Sequence, residues 1–229
     1  SNWLNTSLVT SPDSTLGTVM WNTVITLSST EDARQLRVGI LMDGENSCSS
    51  RDASEDDVVI TIAKPLDDFT TGGGYLMIKS SSGQYAASVN TRNNFGFNVK
   101  YNKAKTNLQG NFNTIVRRIG NDGKFNIYHI KCNSFTSLSA TTASLAGPAT
   151  ATFNGKALIK DITDESNPIT VDANASLQVI VTDINEPGNF DQIAITVWNK
   201  SGGLWYASNW DGMKTIQQII AAGNIQVNQ

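Results

Sequence analysis

The sequence predicts an all-β protein: an antiparallel β-sandwich or jelly-roll-like domain preceded by a smaller β segment. Short runs of alternating apolar and polar residues, rich in β-branched side chains, recur along most of the chain. In two of these runs the apolar residues share one face of the strand, namely Phe95, Phe97 and Val99 in one and Ile193 and Ile195 in the other. Turn-forming stretches such as Asn-Asp-Gly and Ser-Gly-Gly separate these runs after residue 74. Only Lys214 to Ala222 has isoleucines at helical spacing, and we expect one short helix there.

The first part of the chain has few strands. The alternation predicts strands at Gly17 to Ser28, Gln35 to Met42 and Asp57 to Ala63, after an extended lead-in over residues 1–16. An immunoglobulin-like sandwich needs about seven strands. We therefore expect residues 1–67 to be a partial, immunoglobulin-like β segment whose apolar faces are buried by residues 68–229 or by a neighbouring chain.

Three consecutive glycines, Gly72 to Gly74, stand where the two parts meet. Glycine permits backbone angles that other residues avoid, so the triplet predicts a sharp joint between two sheets. A phosphate-binding loop would need a helix and a Lys-Ser/Thr pair after the glycines. The strand-like run Tyr75-Leu76-Met77-Ile78 follows instead, so we expect a structural role.

Composition and charge narrow the function classes. The formal net charge is −3 and the pI is about 5.1, which leaves no basic surplus for nucleic acid. No apolar run approaches the length of a membrane-spanning helix. Charged residues make up only 16% of the chain, and the polar but weakly charged surface this implies is typical of secreted β proteins.

Catalysis has little support in the sequence. The single histidine, His129, lies three residues from Cys132 in a predicted strand, so the two side chains point to opposite faces. Most carboxylates lie in turns or at strand ends, where they are solvated. We expect a protein that is not an enzyme.

The sequence suggests two further candidate sites, a disulfide bond and a Ca²⁺ site. Cys48 and Cys132 lack metal-ligand spacing, and either a disulfide bond or two separate thiols is compatible with them. Side chains with oxygen atoms are concentrated around a Pro-Gly turn, and this pattern is compatible with a Ca²⁺ site or with a solvated turn. The candidate metal ligands are Asp183, Asn185, Glu186 and Asp191, and the acidic loop from Asp43 to Asp57 is a second candidate.

A predicted hairpin near the C-terminus carries three aromatic residues. If Ser201-Gly202 forms a two-residue turn, Trp198 lies opposite Trp205 on the outer face, with Tyr206 beside them. Two outward tryptophans form a flat surface on which a sugar ring stacks. A bulged turn would separate them, and burial under another strand is the alternative.

Four stretches resemble a known family, in this order along the chain: Asp68 to Tyr75, Asn94 to Tyr101, Asp183 to Gly188 and Ile193 to Trp198. They are similar to the "FVTGGGW", "NFGF", "DNGEPG" and closing-hairpin sequences of a C-terminal β module. That module follows immunoglobulin-like repeats of the polycystic-kidney-disease or hyalin type in large secreted bacterial surface proteins. The resemblance implies that residues before the glycines are the tail of an immunoglobulin-like repeat and that the protein is extracellular or attached to the cell surface.

These observations predict a non-catalytic structural or adhesion module that assembles by strand complementation. Its expected partners are other copies of itself or neighbouring immunoglobulin-like domains. The alternative is a carbohydrate-binding module that recognises a polysaccharide through Trp198, Trp205 and Tyr206.

Overall fold

The computed structural model describes residues 8–10, 17–19, 24–31, 33–38, 58–63, 69–120, 122–141, 143, 147–184 and 190–228. Within these residues the regular structure is entirely β, which confirms the predicted fold class. The strands are β1 (Leu8–Thr10), β2 (Gly17–Val19), β3 (Ala33–Val38), β4 (Val58–Ala63), β5 (Phe69–Met77), β6 (Arg92–Tyr101), β7 (Leu108–Ile119), β8 (Phe125–Thr141), β9 (Ala149–Asp161), β10 (Ile169–Asp183), β11 (Gln192–Trp198), β12 (Leu204–Ala207), β13 (Gln218–Ile219) and β14 (Ala222–Asn228).

One long antiparallel sheet dominates the structure. Its order is β12-β11-β10-β9-β8-β7-β6-β5-β14, and β13 pairs with the start of β11. Strands β5 to β12 therefore follow one another as a meander, and the last strand returns to pair with β5. Contacts from β14 to β8, β9 and β10 show that the sheet curls around a common core.

The core consists of the inner face of this curled sheet. On β6 the predicted inward residues Phe95, Phe97 and Val99 are fully buried. On β11 the inward residues Ile193 and Ile195 are fully buried as well. The period-two alternation read from the sequence therefore identified the face of each strand that joins the hydrophobic core.

The triple glycine lies inside strand β5, so the predicted joint between two sheets is wrong. Gly73 pairs with Gly96 on one side and with Asn224 on the other. A Cβ atom on Gly74 would lie 2.1 Å from the carbonyl oxygen of Ala222. Gly72 and Gly74 are required because a core side chain and a neighbouring backbone approach them closely, and the triplet does not bend the chain between sheets.

The predicted helix at Lys214 to Ala222 is also wrong. This segment contains β13 and the first residue of β14, and its main chain bonds to neighbouring strands. The N–H of Ile220 donates to the carbonyl of Asp191, and the side-chain amide of Gln218 donates to the carbonyl of Met77. Pairing with other parts of the sheet outweighed the weak local preference of the isoleucines for a helix.

The first part of the chain forms two hairpins. β1 pairs with β2, and β3 pairs with β4, each as a two-stranded sheet among the described residues. The β3–β4 hairpin lies against the outer face of the long sheet at β5 and β6, and the amide of Asn113 on β7 donates to Gln35 of β3. The outward residues Asn94 and Asn98 of β6 are buried as well. The division of the chain at residues 67 and 68 stays a prediction.

Candidate functional site

The hairpin of β11 and β12 does not form the predicted tryptophan platform. Its turn is longer than two residues, because the N–H of Asn199 donates to the carbonyl of Gly203. The register shifts at this end, so Trp198 pairs with Leu204 while Val197 pairs with Tyr206. Trp198 therefore does not lie opposite Trp205, and the aromatic pair that the carbohydrate-binding alternative required is absent.

Trp205 belongs to the core. It is 1% exposed, with the ring of Tyr85 stacked on it at 4.5 Å and the edge of Tyr128 at 5.4 Å. Tyr206 is fully buried, and its hydroxyl donates a 2.9 Å hydrogen bond to Oδ1 of Asn93. Burial raises the pKa of Tyr206, because the apolar surroundings disfavour the phenolate. Neither residue is available to a polysaccharide.

The two described carboxylates of the predicted Ca²⁺ site bind main-chain N–H groups. Asp191 is fully buried and accepts from Ile184 at 3.1 Å and from Ile225 at 2.7 Å. Asp183 accepts from Val227 at 3.0 Å. These bonds fasten strand β14 to the β10–β11 connection, which gives both carboxylates a structural role.

The other predicted metal ligands, Asn185 and Glu186, lie outside the described residues, as does the acidic loop from Asp43 to Asp57. Within the described part of the chain, no three His, Cys, Asp or Glu side chains are grouped closely enough to hold a metal ion. The Ca²⁺ site stays a prediction.

Cys132 is a free thiol in the structure and is fully buried on the inner face of β8. Burial raises its pKa to about 11, although the main chain at Ser134 and Lys156 partly offsets this effect. Cys48 lies outside the described residues. The alternative of two separate thiols agrees with the free thiol of Cys132, and the disulfide bond to Cys48 stays a prediction.

The long sheet has two edge strands, and both are covered. Along β12, the N–H of Tyr85 donates to the carbonyl of Trp205, and the N–H of Ala207 donates to the carbonyl of Ser82. Along β14, the outward N–H groups of Ile225 and Val227 are bound by the two carboxylates described above. Edge groups that would otherwise pair with another chain are thereby satisfied.

The outer face of β8 to β11 carries a feature that the sequence reading missed. One cross-strand row runs over four neighbouring strands and consists of Ser134, Lys156, Ser176 and Trp198. The next row contains Ser137, Asn154 and Gln178, which are joined by side-chain hydrogen bonds of 2.8 and 3.2 Å. Lys131 and Lys160 lie beside the first row on β8 and β9.

The sequence contains one pattern that indicates the lysines of this face. Lys156, Leu158 and Lys160 alternate with Ala157 and Ile159, so the lysines share the outer face of a strand. Only the register with β8 and β10 brings Lys131 and Ser176 next to them.

Comparisons with known proteins leave the family open. No protein-family model, no curated protein and no solved structure matches this chain. None of the described residues belongs to a helix that is long and apolar enough to cross a membrane.

Proposed function

We propose that this chain is a non-catalytic extracellular module with a structural or adhesive role. It assembles with other copies of itself or with neighbouring immunoglobulin-like domains by strand addition at its N-terminal hairpins. The observation that carries the proposal is the contrast between the covered edges of the long sheet and the two-stranded hairpins that precede it.

The long sheet supplies the rigid part of the module. Residues 82–85 cover β12, and the carboxylates of Asp183 and Asp191 cover β14. A strand from another chain would have to displace these hydrogen bonds before it paired there. Strand addition therefore falls to the N-terminal hairpins.

The β3–β4 hairpin is suited to accept a further strand. A lone two-stranded hairpin is marginally stable in water, so additional pairing or packing stabilises it. Its docking onto the long sheet leaves Leu36 and Ile62 only half-buried. The polar contact of Gln35 with Asn113 anchors the hairpin without burying Leu36 and Ile62 completely.

The test compares the full chain with a variant that lacks residues 1–16, which contain β1. Light scattering coupled to size exclusion measures the mass over a range of protein concentrations. We expect the full chain to form oligomers whose mass rises with concentration, and the shortened chain to form smaller ones. The urea midpoint of both proteins serves as the control for an intact long sheet.

Two outcomes contradict the proposal. A full chain that stays monomeric at every concentration has no self-assembly to explain. Oligomers of equal size from both proteins, with equal urea midpoints, place the contact elsewhere than in the first hairpin.

A further inference from the structure

The outer face of β8 to β11 presents a basic and hydroxyl-rich surface in an acidic protein. Lys131 lies directly across from Leu158, and Lys156 and Lys160 lie two residues to either side of Leu158 on β9. The rise along a strand places the α-carbons of Lys156 and Lys160 roughly 13 Å apart. Three lysines are therefore neighbours of one half-buried leucine on the outer face, although the net charge of the chain is −3.

Among the described residues, none of these three lysines forms an ion pair with a carboxylate. The nearby Asp172 is buried, and its two oxygens accept main-chain N–H groups of Asn174 and Lys200. The positive charge of this face is thus available to a ligand.

A half-buried aromatic side chain completes the surface. Trp198 stands on β11 in the same cross-strand row as Lys156, with Ser176 between them. Neighbouring strands are about 4.8 Å apart, so Lys156 and Trp198 are roughly 10 Å apart across the sheet. That separation suits a sugar ring stacked on the indole, with an acidic group of the same or the adjoining sugar at Lys156.

The hydrogen bonds of this face hold its polar groups in place. Nζ of Lys156 donates to Oγ of Ser176 at 3.0 Å, and Nε2 of Gln178 donates to Oδ1 of Asn154 at 3.2 Å. Side chains ordered before binding lose less conformational freedom when a ligand arrives. Hydroxyl and amide groups in such rows match the hydroxyl groups of a polysaccharide.

We propose that the outer face of β8 to β11 binds an anionic polysaccharide, with Lys131, Lys156 and Lys160 neutralising its acidic groups and Trp198 stacking on a sugar ring. A nucleic acid fits this face less well, because three lysines in an acidic chain neutralise few phosphates. The proposal stands apart from strand addition, because the lysines and Trp198 lie on the long sheet and not on the N-terminal hairpins.

The experiment measures the migration of the full chain in native gels that contain polygalacturonate, dextran sulfate or uncharged dextran. We expect retardation by polygalacturonate and none by dextran. Equal retardation by dextran sulfate extends the ligand class to sulfated polysaccharides, whereas retardation by polygalacturonate alone restricts it to carboxylates. Both of these results support the proposal.

Two variants and a matched control assign the effect to the face. The variant K131Q/K156Q/K160Q is expected to lose affinity for polygalacturonate by about tenfold or more. The control K79Q/K103Q/K124Q removes the same number of positive charges, at three exposed lysines elsewhere, and is expected to change the affinity for polygalacturonate by less than about twofold. Trp198→Gln is expected to lose about fivefold, and its urea midpoint shows whether it is folded.

Two results would each overturn the proposal: a wild type that does not bind any of the anionic polymers, and an equal loss of affinity in the two triple variants. Binding that a single-stranded oligonucleotide reproduces, with no effect of Trp198→Gln, shows general attraction to polyanions. If Trp198→Gln is unfolded, the comparison of the two triple variants alone decides the outcome.

Discussion

The main-chain N–H of Ile225 donates a 2.7 Å hydrogen bond to Oδ2 of Asp191, whose carboxylate is completely buried. The other oxygen of this carboxylate accepts from Ile184, so one side chain joins the start of β11 to a strand 34 residues later. The bond covers an edge of the sheet where a further strand would otherwise pair. The same residue was predicted to bind Ca²⁺.

Asp191→Asn is expected to weaken this connection. Asparagine replaces one acceptor oxygen by a donor, so one of the two buried N–H groups loses its partner. A buried polar group without a partner costs about 1–3 kcal/mol. We expect the free energy of unfolding, measured by urea denaturation, to fall by about 2 kcal/mol.

Asp122→Asn is the matched control for that substitution. Asp122 is exposed, and its Oδ1 accepts a hydrogen bond from the N–H of Lys124, which the amide oxygen of asparagine also accepts. We expect a change of less than about 0.5 kcal/mol. Equal effects of the two substitutions would contradict the structural role of Asp191.

Gly74→Ala tests the close approach of β14 to β5. The added Cβ would lie 2.1 Å from the carbonyl oxygen of Ala222, a main-chain atom that cannot move away unless strand β14 shifts. Overpacking of this kind costs about 1–3 kcal/mol, so we expect a lower urea midpoint. Gln226→Ala, at an exposed position of the neighbouring strand β14, is expected to change the free energy of unfolding by less than about 0.5 kcal/mol. Unchanged stability of Gly74→Ala would show that β14 does not lie this close.

The alternation of apolar and polar residues predicted most of the long sheet. Phe95, Phe97 and Val99 point to the core as expected, because successive side chains of a strand point to opposite faces and every second residue therefore faces the core. The same logic failed for Gly72 to Gly74, since glycine has no side chain that would reveal which face it occupies. The reason for Gly72 and Gly74 lies on the neighbouring strands, at Phe97, Ala222 and Gly223.

Long-range strand pairing also determines the roles of the residues in the candidate sites. Whether Trp205 points inward depends on a register shift beside Val197, and no local pattern in the hairpin sequence determines such a shift. The role of Asp191 depends on Ile225, which follows it by 34 residues. A single sequence shows which residue types are present at a turn but not which main-chain groups the fold brings to them.

Asp211 is expected to make the stability depend on pH in the acidic range. Its Oδ1 accepts hydrogen bonds from the N–H groups of Lys214 and Met213, both at 2.8 Å, and these lower the pKa of the carboxyl group from its usual 3.8. A folded-state pKa below that of the unfolded chain means that the contribution is present above the unfolded pKa. The contribution is lost as the pH falls through the folded pKa.

Two measurements check this prediction. Carbon NMR of the Asp211 carboxyl group should give a titration midpoint below 3.8. Asp211→Asn keeps an acceptor for the turn but does not ionise, so its stability should vary less with pH in this range. A midpoint at or above the usual value would show that the turn does not favour the carboxylate.

Cys132 is expected to be unreactive while the protein is folded. Its side chain is completely buried, and a pKa of about 11 leaves about one thiol in a thousand ionised at pH 8. In a Cys48→Ser variant, Ellman's reagent should therefore modify Cys132 only as fast as the sheet opens, and quickly once urea unfolds it. The intact wild type should have the mass of two free thiols. Rapid modification of the folded variant would contradict the buried position, and a wild-type mass lower by two hydrogen atoms would show that Cys48 and Cys132 form a disulfide bond.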